Sequence, residues 1–516
     1  MKKCSAARFH PPPLAFLPAL TLALTLAPQC FADPVDTAEQ VRAWRQAHEQ
    51  QIVDDFAKLL SLPNVASDTP NIRRNVDAIT ALLQPRGFEV RSLETAGSPP
   101  AIFAERRATG AKKTLLIYAH YDGQPVAAGD WASDPWTPVL RDGTVESGGR
   151  LVPMQAPFDP EWRIFARSAG DDKAPIIALT AALDALAAAG MAPGVNLKLF
   201  LDGEEEAGSP HLQTLLSENR ALLEADLWLF CDGPVHQSRR WQLVYGVRGA
   251  YGFDLTVFGA NRPLHSGHYG NWAPNPIVRL AELIGTMRSP RGEILIDGYS
   301  EQVVPPSLTE MAAIEAAPRV DEDMIRELGI GRPETAERLE LTVMRPAINL
   351  RGIRSGSVGA QASNSIQTAA TASIGLRLVP AQTLDHVREA VERHLAQQGY
   401  LVVHEEPTAE QRATHDHIAR VDWEEGGYPA YRAPLDLPIA RAVADIVNQL
   451  RDDELIRMPT MGGSLPIYVI EQETGAPVVI LPVANHDNNQ HGKDENLRLQ
   501  NLWDAIEIYA AVLTNL

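Results

Sequence analysis

Three consecutive glutamates, Glu204–Glu206, are the residues of this sequence that are best suited to metal binding or acid–base catalysis. Leu199–Pro210 reads Leu-Phe-Leu-Asp-Gly-Glu-Glu-Glu-Ala-Gly-Ser-Pro. The alternating pattern from Val195 to Leu201 predicts a β-strand that ends just before the glutamates. Two like charges ~4 Å apart repel by about 4 kcal/mol at an effective dielectric constant of ~20. Adjacent carboxylates at a strand end therefore favour a bound cation, and a solvated acidic turn is the alternative.

Four more predicted apolar strands end in residue types that bind metals. These residues are His120, Asp171 or Asp172, Asp232, and one of His486 and His491. Taken singly, the histidines could be structural, and an aspartate before a helix could be its N-cap. Parallel strands, however, present their carboxyl ends at one edge of a sheet, so we expect these side chains to converge.

The combined set of side chains predicts a metal site with two ions. Histidines together with carboxylates suit zinc, and also permit cobalt or manganese. A catalytic zinc takes three protein ligands, so five ligands and a spare carboxylate indicate two metals. The chemistry that such a site supports is attack of water on a carbonyl, with Glu205 or Glu206 accepting the proton of that water.

The elements that would position these side chains form an α/β pattern. Strands and helices alternate over residues 113–234, which predicts a mostly parallel sheet flanked by helices. From about residue 242 the strands alternate as in a half-exposed antiparallel sheet, and the parallel pattern then returns. We therefore predict a catalytic domain over residues 33–243 and 420–516, with an inserted α+β domain over residues 244–419. Residues 126–163 show no strong period and are predicted to form a long loop.

The first 32 residues predict a signal peptide. Lys2, Lys3 and Arg8 precede the apolar stretch Leu14–Leu26, and a small-x-small pattern ends at Ala32. The stretch is too short to span a bilayer comfortably, although an uncleaved anchor is the alternative. We expect an exported protein, periplasmic or secreted, with no membrane attachment after cleavage.

Charge and cysteine content restrict the partners and the covalent structure of the mature chain. Without residues 1–32 the chain has 43 basic and 65 acidic residues, a net charge of −22. Such a chain is repelled by nucleic acids and by anionic membranes. Cys231 is then the only cysteine, so no intrachain disulfide can form.

Several motifs, which follow one another across nearly all of the mature chain, carry a resemblance to a known enzyme family. The chain resembles the co-catalytic zinc metallopeptidases that include carnosine dipeptidases, aminoacylases, glutamate carboxypeptidase and succinyl-diaminopimelate desuccinylase, and it is most similar to the dipeptidase branch. The resemblance implies a zinc-exopeptidase-like catalytic domain, an inserted lid and dimerisation domain, two divalent metal ions and a homodimer. The matching motifs are Tyr118–Asp122, Ser168–Lys173, Asp202–Ser209, His265–Gly267, Gly462–Ser464 and His491.

The resemblance also implies a role for each residue of the metal site. It makes Glu205 the general base, since the register of Gly208 and Ser209 fixes which glutamate is which. Asp122 orients the ring of a metal-binding histidine, and the spacing to Glu495 favours His491 over His486. The implied metal ligands are His120, Asp171 as the bridging carboxylate, Glu206, Asp232 and His491.

Four further residues are implied to bind substrate. His265 resembles the histidine of the inserted domain that holds the scissile carbonyl, often across a dimer interface. Arg377 and Ser464, with Gly463 beside it, match positions that bind the free carboxylate of the substrate. Arg377 lies in a strand-like apolar run, and a guanidinium is well suited to a carboxylate, although a surface salt bridge is the alternative. We therefore expect hydrolysis of short peptides, most of all dipeptides with a free carboxylate.

Three other functions stay open at this point, one within enzymes and two outside them. Within enzymes the alternative is a deacylase of N-acyl amino acids, a group of the same family that tends to carry Glu at the position of Asp232. Outside enzymes the alternatives are an exported solute-binding protein and a metal-free scaffold. The complete set of predicted ligands argues against both of the latter.

Overall fold

The structure, a computed structural model, describes residue 1 and residues 33–516. The predicted signal peptide lies outside the described residues apart from Met1, so it stays a prediction. Among the helices of the described residues, none is both long and apolar enough to cross a membrane.

Helices account for much of the chain between residues 33 and 516. They are α1 (Pro34–Leu60), α2 (Thr69–Leu83), α3 (Ala174–Ala188), α4 (Leu212–Glu218), α5 (Arg220–Leu223), α6 (Ser266–Tyr269), α7 (Pro276–Met287), α8 (Leu308–Ala316), α9 (Asp321–Glu327), α10 (Leu339–Thr342), α11 (Leu384–Gln397), α12 (Ala409–Thr414), α13 (Pro438–Gln449), α14 (Ile467–Thr474) and α15 (Leu499–Asn515).

The strands of the same region are mostly short. They are β1 (Glu89–Leu93), β2 (Ala101–Arg106), β3 (Thr114–His120), β4 (Val139–Arg141), β5 (Leu151–Val152), β6 (Arg163–Phe165), β7 (Asn196–Asp202), β8 (Leu227–Phe230), β9 (Gln242–Val244), β10 (Gly246–Val247), β11 (Gly249–Phe258), β12 (Leu264–His265), β13 (Ala347–Arg354), β14 (Ser365–Ile366), β15 (Ala369–Leu378), β16 (Leu401–Val403), β17 (Ile418–Trp423), β18 (Tyr431–Arg432), β19 (Ile456–Met458), β20 (Val478–Ile480) and β21 (Asn496–Arg498).

An eight-stranded sheet forms the centre of the larger part of the molecule, with the order β1-β2-β7-β3-β8-β20-β9-β19. Its middle strands β7, β3, β8 and β20 are parallel. Successive residues of β3 face opposite sides, so Ile117 packs with the helix layer of α1, α3 and α15, whereas Tyr118 packs with that of α4 and α14. Burial on both faces explains why β3 reads as a continuous apolar run.

A second sheet forms the inserted domain, with the order β13-β15-β11-β17-β16. It is antiparallel except for the pair β16 and β17. Helices α7 and α11 cover one face, where apolar side chains of the sheet and of the helices form a separate core. The predicted fold class, a mostly parallel α/β sheet flanked by helices with an inserted α+β domain, is confirmed. The predicted domain boundary at residue 419 falls inside β17.

Residues 126–163 differ from the long loop that the sequence predicts. They contribute β4 and β5 to a four-stranded sheet with the order β21-β6-β4-β5. These strands have only two or three residues, which is too few for a visible alternating pattern. The segment thereby pairs with β6, the strand that precedes the predicted ligand Asp171.

Candidate active site

A first group of metal-binding side chains lies at the carboxyl edge of the eight-stranded sheet. His120 is the last residue of β3, and Asp232 follows β8 by two residues. Nε2 of His120 lies 2.7 Å from Oδ1 of Asp171 and 3.8 Å from Oδ2 of Asp232. All three residues are buried and could hold one metal ion between them.

A second group of metal-binding side chains shares one member with the first. Nε2 of His491 lies 3.2 Å from Oδ2 of Asp171 and 3.3 Å from Oε2 of Glu206. Asp171 therefore directs one oxygen toward each group, which is the arrangement that a bridging carboxylate needs. His486 belongs to neither group. Its Nε2 instead lies 3.7 Å from Oε2 of Glu327 in α9.

Asp122 connects the two parts of the candidate metal centre. Its Oδ1 lies 3.3 Å from Nδ1 of His120, on the opposite side of the ring from Asp171. Its two carboxylate oxygens also accept hydrogen bonds from the backbone N–H groups of Glu205 and Glu206, each at 3.1 Å. The backbone oxygen of Asp122 also lies 3.2 Å from Nδ1 of His120, so this buried residue orients the histidine ring through two oxygens while its carboxylate holds the turn that carries both glutamates.

The electrostatics of these side chains fit cations. Oδ2 of Asp171 is buried and accepts no well-aligned hydrogen bond, although Nε2 of His491 lies 3.2 Å away. Burial, together with the charge of Asp171, raises the pKa of Asp232 to about 7 and that of Glu206 to about 8. Burial also raises the pKa of Glu205 well above its usual value. Carboxylates packed this closely ionise fully only beside positive charge, which two divalent ions would supply.

Glu205 differs in position from the neighbouring Glu206. It opens the short turn Glu205–Ala207 after β7 and lines the same cavity as Asp171 and Asp232. It belongs to neither group of metal-binding side chains in the described residues. A free carboxylate beside the metal ligands can accept a proton from a water that attacks the substrate.

Two residues support the site in roles that the sequence did not indicate. The carboxylate of Glu495 accepts backbone hydrogen bonds from Ser168, Gly170 and Asp171 at 2.9–3.0 Å, and so fixes the loop of the shared ligand. Nε2 of Gln124 donates to Oε2 of Glu206 at 2.7 Å. Their proximity in sequence to His491 and His120 is the only sequence feature that could have indicated them.

The predicted carboxylate-binding residues line a cavity that Asp171, Asp232 and His491 also line. The volume of this cavity is about 510 Å³. Arg377 of β15, in the inserted domain, donates from Nη1 to Oγ of Ser464 at 2.6 Å. Gly463 lines the cavity beside them. Asp171 and Arg377 thus border one space between the two sheets, so a small molecule could contact both.

Apolar side chains form part of the cavity wall. Val343, Met458, Met461 and Leu465 line it together with the groups described above. Met461 packs against Gly233, the residue after Asp232, so closely that a Cβ at Gly233 would lie 2.8 Å from its Cε. The part of the wall that Met461 forms beside Gly233 is therefore apolar and suits an apolar substrate side chain.

His265 is not brought to the cavity of its own chain. It is exposed, its Nδ1 accepts a hydrogen bond from the backbone of Gly267 at 3.1 Å, and its ring centroid lies 4.6 Å from that of His268. The described residues that line the cavity do not include it. Its predicted contact with substrate is therefore not formed among the described residues of one chain.

Relatives of known activity resemble the chain over most of its length. Cys-Gly metallodipeptidase dug1 of Schizosaccharomyces pombe is 26% identical over 487 residues, which cover 91% of this chain and 96% of the relative. Beta-Ala-His dipeptidase of Homo sapiens is 24% identical over 507 residues, which cover 93% and 92%. The solved structure of the dipeptidase Dug1p from Saccharomyces cerevisiae has a similar fold, with a TM-score of 0.74 and 21% identity over 93% of this chain and 98% of that chain.

The sequence also matches a family profile over residues 116–515. This region begins within β3 and ends in α15, so it includes every metal-binding side chain described above. The family resemblance that the motifs indicated, and the prediction of a peptidase-like hydrolase, are confirmed. The chain belongs to the peptidase family M20/M25/M40.

Proposed function

We propose that this protein is a metallo-exopeptidase that hydrolyses short peptides, and that its preferred substrates are dipeptides with a free carboxylate. The observation that carries the proposal is the pairing of Arg377 with Ser464 in the same cavity as the metal-binding side chains. Relatives named as dipeptidases for Cys-Gly and Beta-Ala-His support the substrate class.

The metal-binding side chains are proposed to hold two divalent ions. His120, Asp171 and Asp232 would hold one ion, while Asp171, Glu206 and His491 would hold the other. Mixed nitrogen and oxygen ligands suit zinc, with cobalt and manganese as alternatives. When bound, such ions polarise a carbonyl and lower the pKa of water.

Residues of the chain itself would supply proton transfer and substrate binding. Glu205 accepts a proton from the attacking water and returns it to the leaving amine. Arg377 and Ser464 bind the free carboxylate through charge-assisted hydrogen bonds. Because that carboxylate and the scissile carbonyl are both held, only a short segment fits between them, which favours exopeptidase action.

The proposal is tested by comparing a dipeptide such as Ala-Leu with its C-terminal amide. Charged hydrogen bonds contribute about 1.5–3 kcal/mol, so amidation is expected to lower kcat/KM by roughly 10- to 150-fold. Arg377→Ala should remove most of this difference. Arg420→Ala, on β17 of the same sheet and paired with Asp422, is the control and should preserve it. Equal cleavage of free and amidated peptide by the wild type would contradict the proposal.

Deacylation of N-acyl amino acids is the alternative activity, because these molecules present the same carboxylate next to an amide. Acetyl-leucine added to the same assay separates the two activities. A kcat/KM for acetyl-leucine above that for Ala-Leu would favour the deacylase.

We also propose that the protein is exported and forms a homodimer. Export is supported by the basic and apolar pattern of residues 1–32, and a dimer by the exposure of His265 away from the cavity. N-terminal sequencing of protein from the growth medium or periplasm tests cleavage after Ala32. Light scattering of the purified protein tests the dimer.

A further inference from the structure

Arg248 lies in one of the two connections between the catalytic and inserted domains. It separates β10 from β11, the central strand of the five-stranded sheet. The other connection contains β18, which pairs with β10. The mechanism proposed above gives Arg248 no role.

The Arg248 side chain and backbone both bind the loop Met461–Ser464. Its Nε and Nη2 donate to the carbonyl oxygen of Gly462 at 3.1 and 3.0 Å, and its backbone N–H donates to that of Gly463 at 3.1 Å. In return, the backbone N–H of Met461 donates to the carbonyl of Gly246 at 3.0 Å. The loop is thus fastened to the domain connection at three successive residues.

Two guanidinium groups meet at this loop without a negative partner. Arg377 contacts Ser464 on the cavity side, and Arg248 contacts Gly462. Neither arginine forms an ion pair with a carboxylate among residues 33–516. Burial and the charge of Arg377 lower the pKa of Arg248 to about 10. Arg248 and Arg377 are both half-buried, and unpaired cations that are partly removed from water are unfavourable, so the region favours an incoming anion.

We propose that Arg248 is a positioning residue for substrate recognition, acting through the Gly462 carbonyl to hold Ser464 in register with Arg377. This inference rests on the proposed function, in which the same loop binds the substrate carboxylate. Two donors of one guanidinium converge on a single oxygen, an arrangement that the single ammonium of lysine cannot reproduce. The contact also links the loop to the strand that enters the inserted domain, which carries Arg377.

The test compares Arg248→Gln and Arg248→Lys with Arg432→Gln. Arg432 is a matched control because it lies on β18 and pairs with Glu310 at 2.9 Å, without bonding to the loop. We expect both Arg248 variants to raise KM for Ala-Leu about tenfold or more, with kcat within about threefold of wild type. The amidated peptide should be affected much less, and Arg432→Gln should leave the ratio of the two substrates unchanged.

Hydrogen exchange of the loop without substrate gives a readout that is independent of activity. Peptides covering residues 459–466 should exchange faster in both Arg248 variants than in wild type or in Arg432→Gln. Unchanged exchange together with an unchanged KM would overturn the role of Arg248. If the wild type itself fails to distinguish free from amidated peptide, the proposed function fails, whereas the exchange experiment still decides whether Arg248 holds the loop. Arg248→Lys keeps the charge, so it serves as the deciding variant if Arg248→Gln does not fold.

Discussion

Asp122→Asn is expected to weaken metal binding although it replaces none of the candidate metal ligands. Asp122 accepts one hydrogen bond on each oxygen, from the backbone N–H groups of Glu205 and Glu206, and also faces Nδ1 of His120. Asparagine replaces one acceptor oxygen with an NH₂ group, which then opposes an N–H donor.

The size of the effect follows from these contacts. Losing one charged hydrogen bond costs about 1.5–3 kcal/mol, which corresponds to roughly 10- to 150-fold in an equilibrium constant. Residues that orient metal ligands change metal affinity by about 10- to 100-fold when mutated, which is the same range. We therefore expect the Kd for zinc of Asp122→Asn to rise by about 10- to 100-fold.

The assay is competition with a chromophoric chelator at fixed pH. Glu507→Gln is the control, because the Glu507 carboxylate on α15 is also buried and binds an arginine, Arg42, at 2.7 Å, yet it has no contact with the metal-binding side chains. The control should lose stability and keep its zinc affinity. A Kd for Asp122→Asn within twofold of wild type, or an equal loss in Glu507→Gln, would refute the reasoning.

Three more predictions concern substrate, protons and subunits. Met461→Lys should shift kcat/KM toward Ala-Asp over Ala-Leu by at least about tenfold, and an unchanged ratio would exclude Met461 from the substrate cavity. Zinc binding at pH 7 should release protons, because the raised pKa values of Glu206 and Asp232 leave both partly protonated. Affinity should accordingly fall as the pH falls below about 8, and calorimetry in two buffers with no net proton release would contradict this. Exchanged dimers of His265→Ala with Glu205→Gln should regain activity, whereas no recovery would argue against a site shared between subunits.

The elements that carry the metal-binding side chains could be predicted because their patterns are local. The apolar run that ends at His120 is β3, and the alternation before the three glutamates is β7. Convergence of their ends follows from parallel pairing, in which His120 lies opposite Asp202 at the ends of β3 and β7. The alternative role of Asp171 or Asp172, N-capping of the next helix, is not found, since the cap position of α3 is Lys173 and no side chain caps it.

Features that depend on distant contacts could not be predicted in the same way. Arg248 and Glu495 form hydrogen bonds with backbone groups of Gly462 and Ser168, which lie more than 200 residues away in the chain. Neither residue lies in a periodic pattern that would indicate such a partner. The exposure of His265 likewise depends on how the inserted domain packs, which local sequence does not determine.

The most direct test of the central claim is to measure metal content and turnover together in wild type, Glu205→Gln and Glu206→Gln. We predict about two divalent ions per chain in wild type and in Glu205→Gln, with turnover of Glu205→Gln lower by ~10²-fold or more. Glu206→Gln should lose metal, because it removes a ligand of the second group. Active wild type with less than about one metal per chain, or loss of metal in Glu205→Gln but not in Glu206→Gln, would contradict the claim.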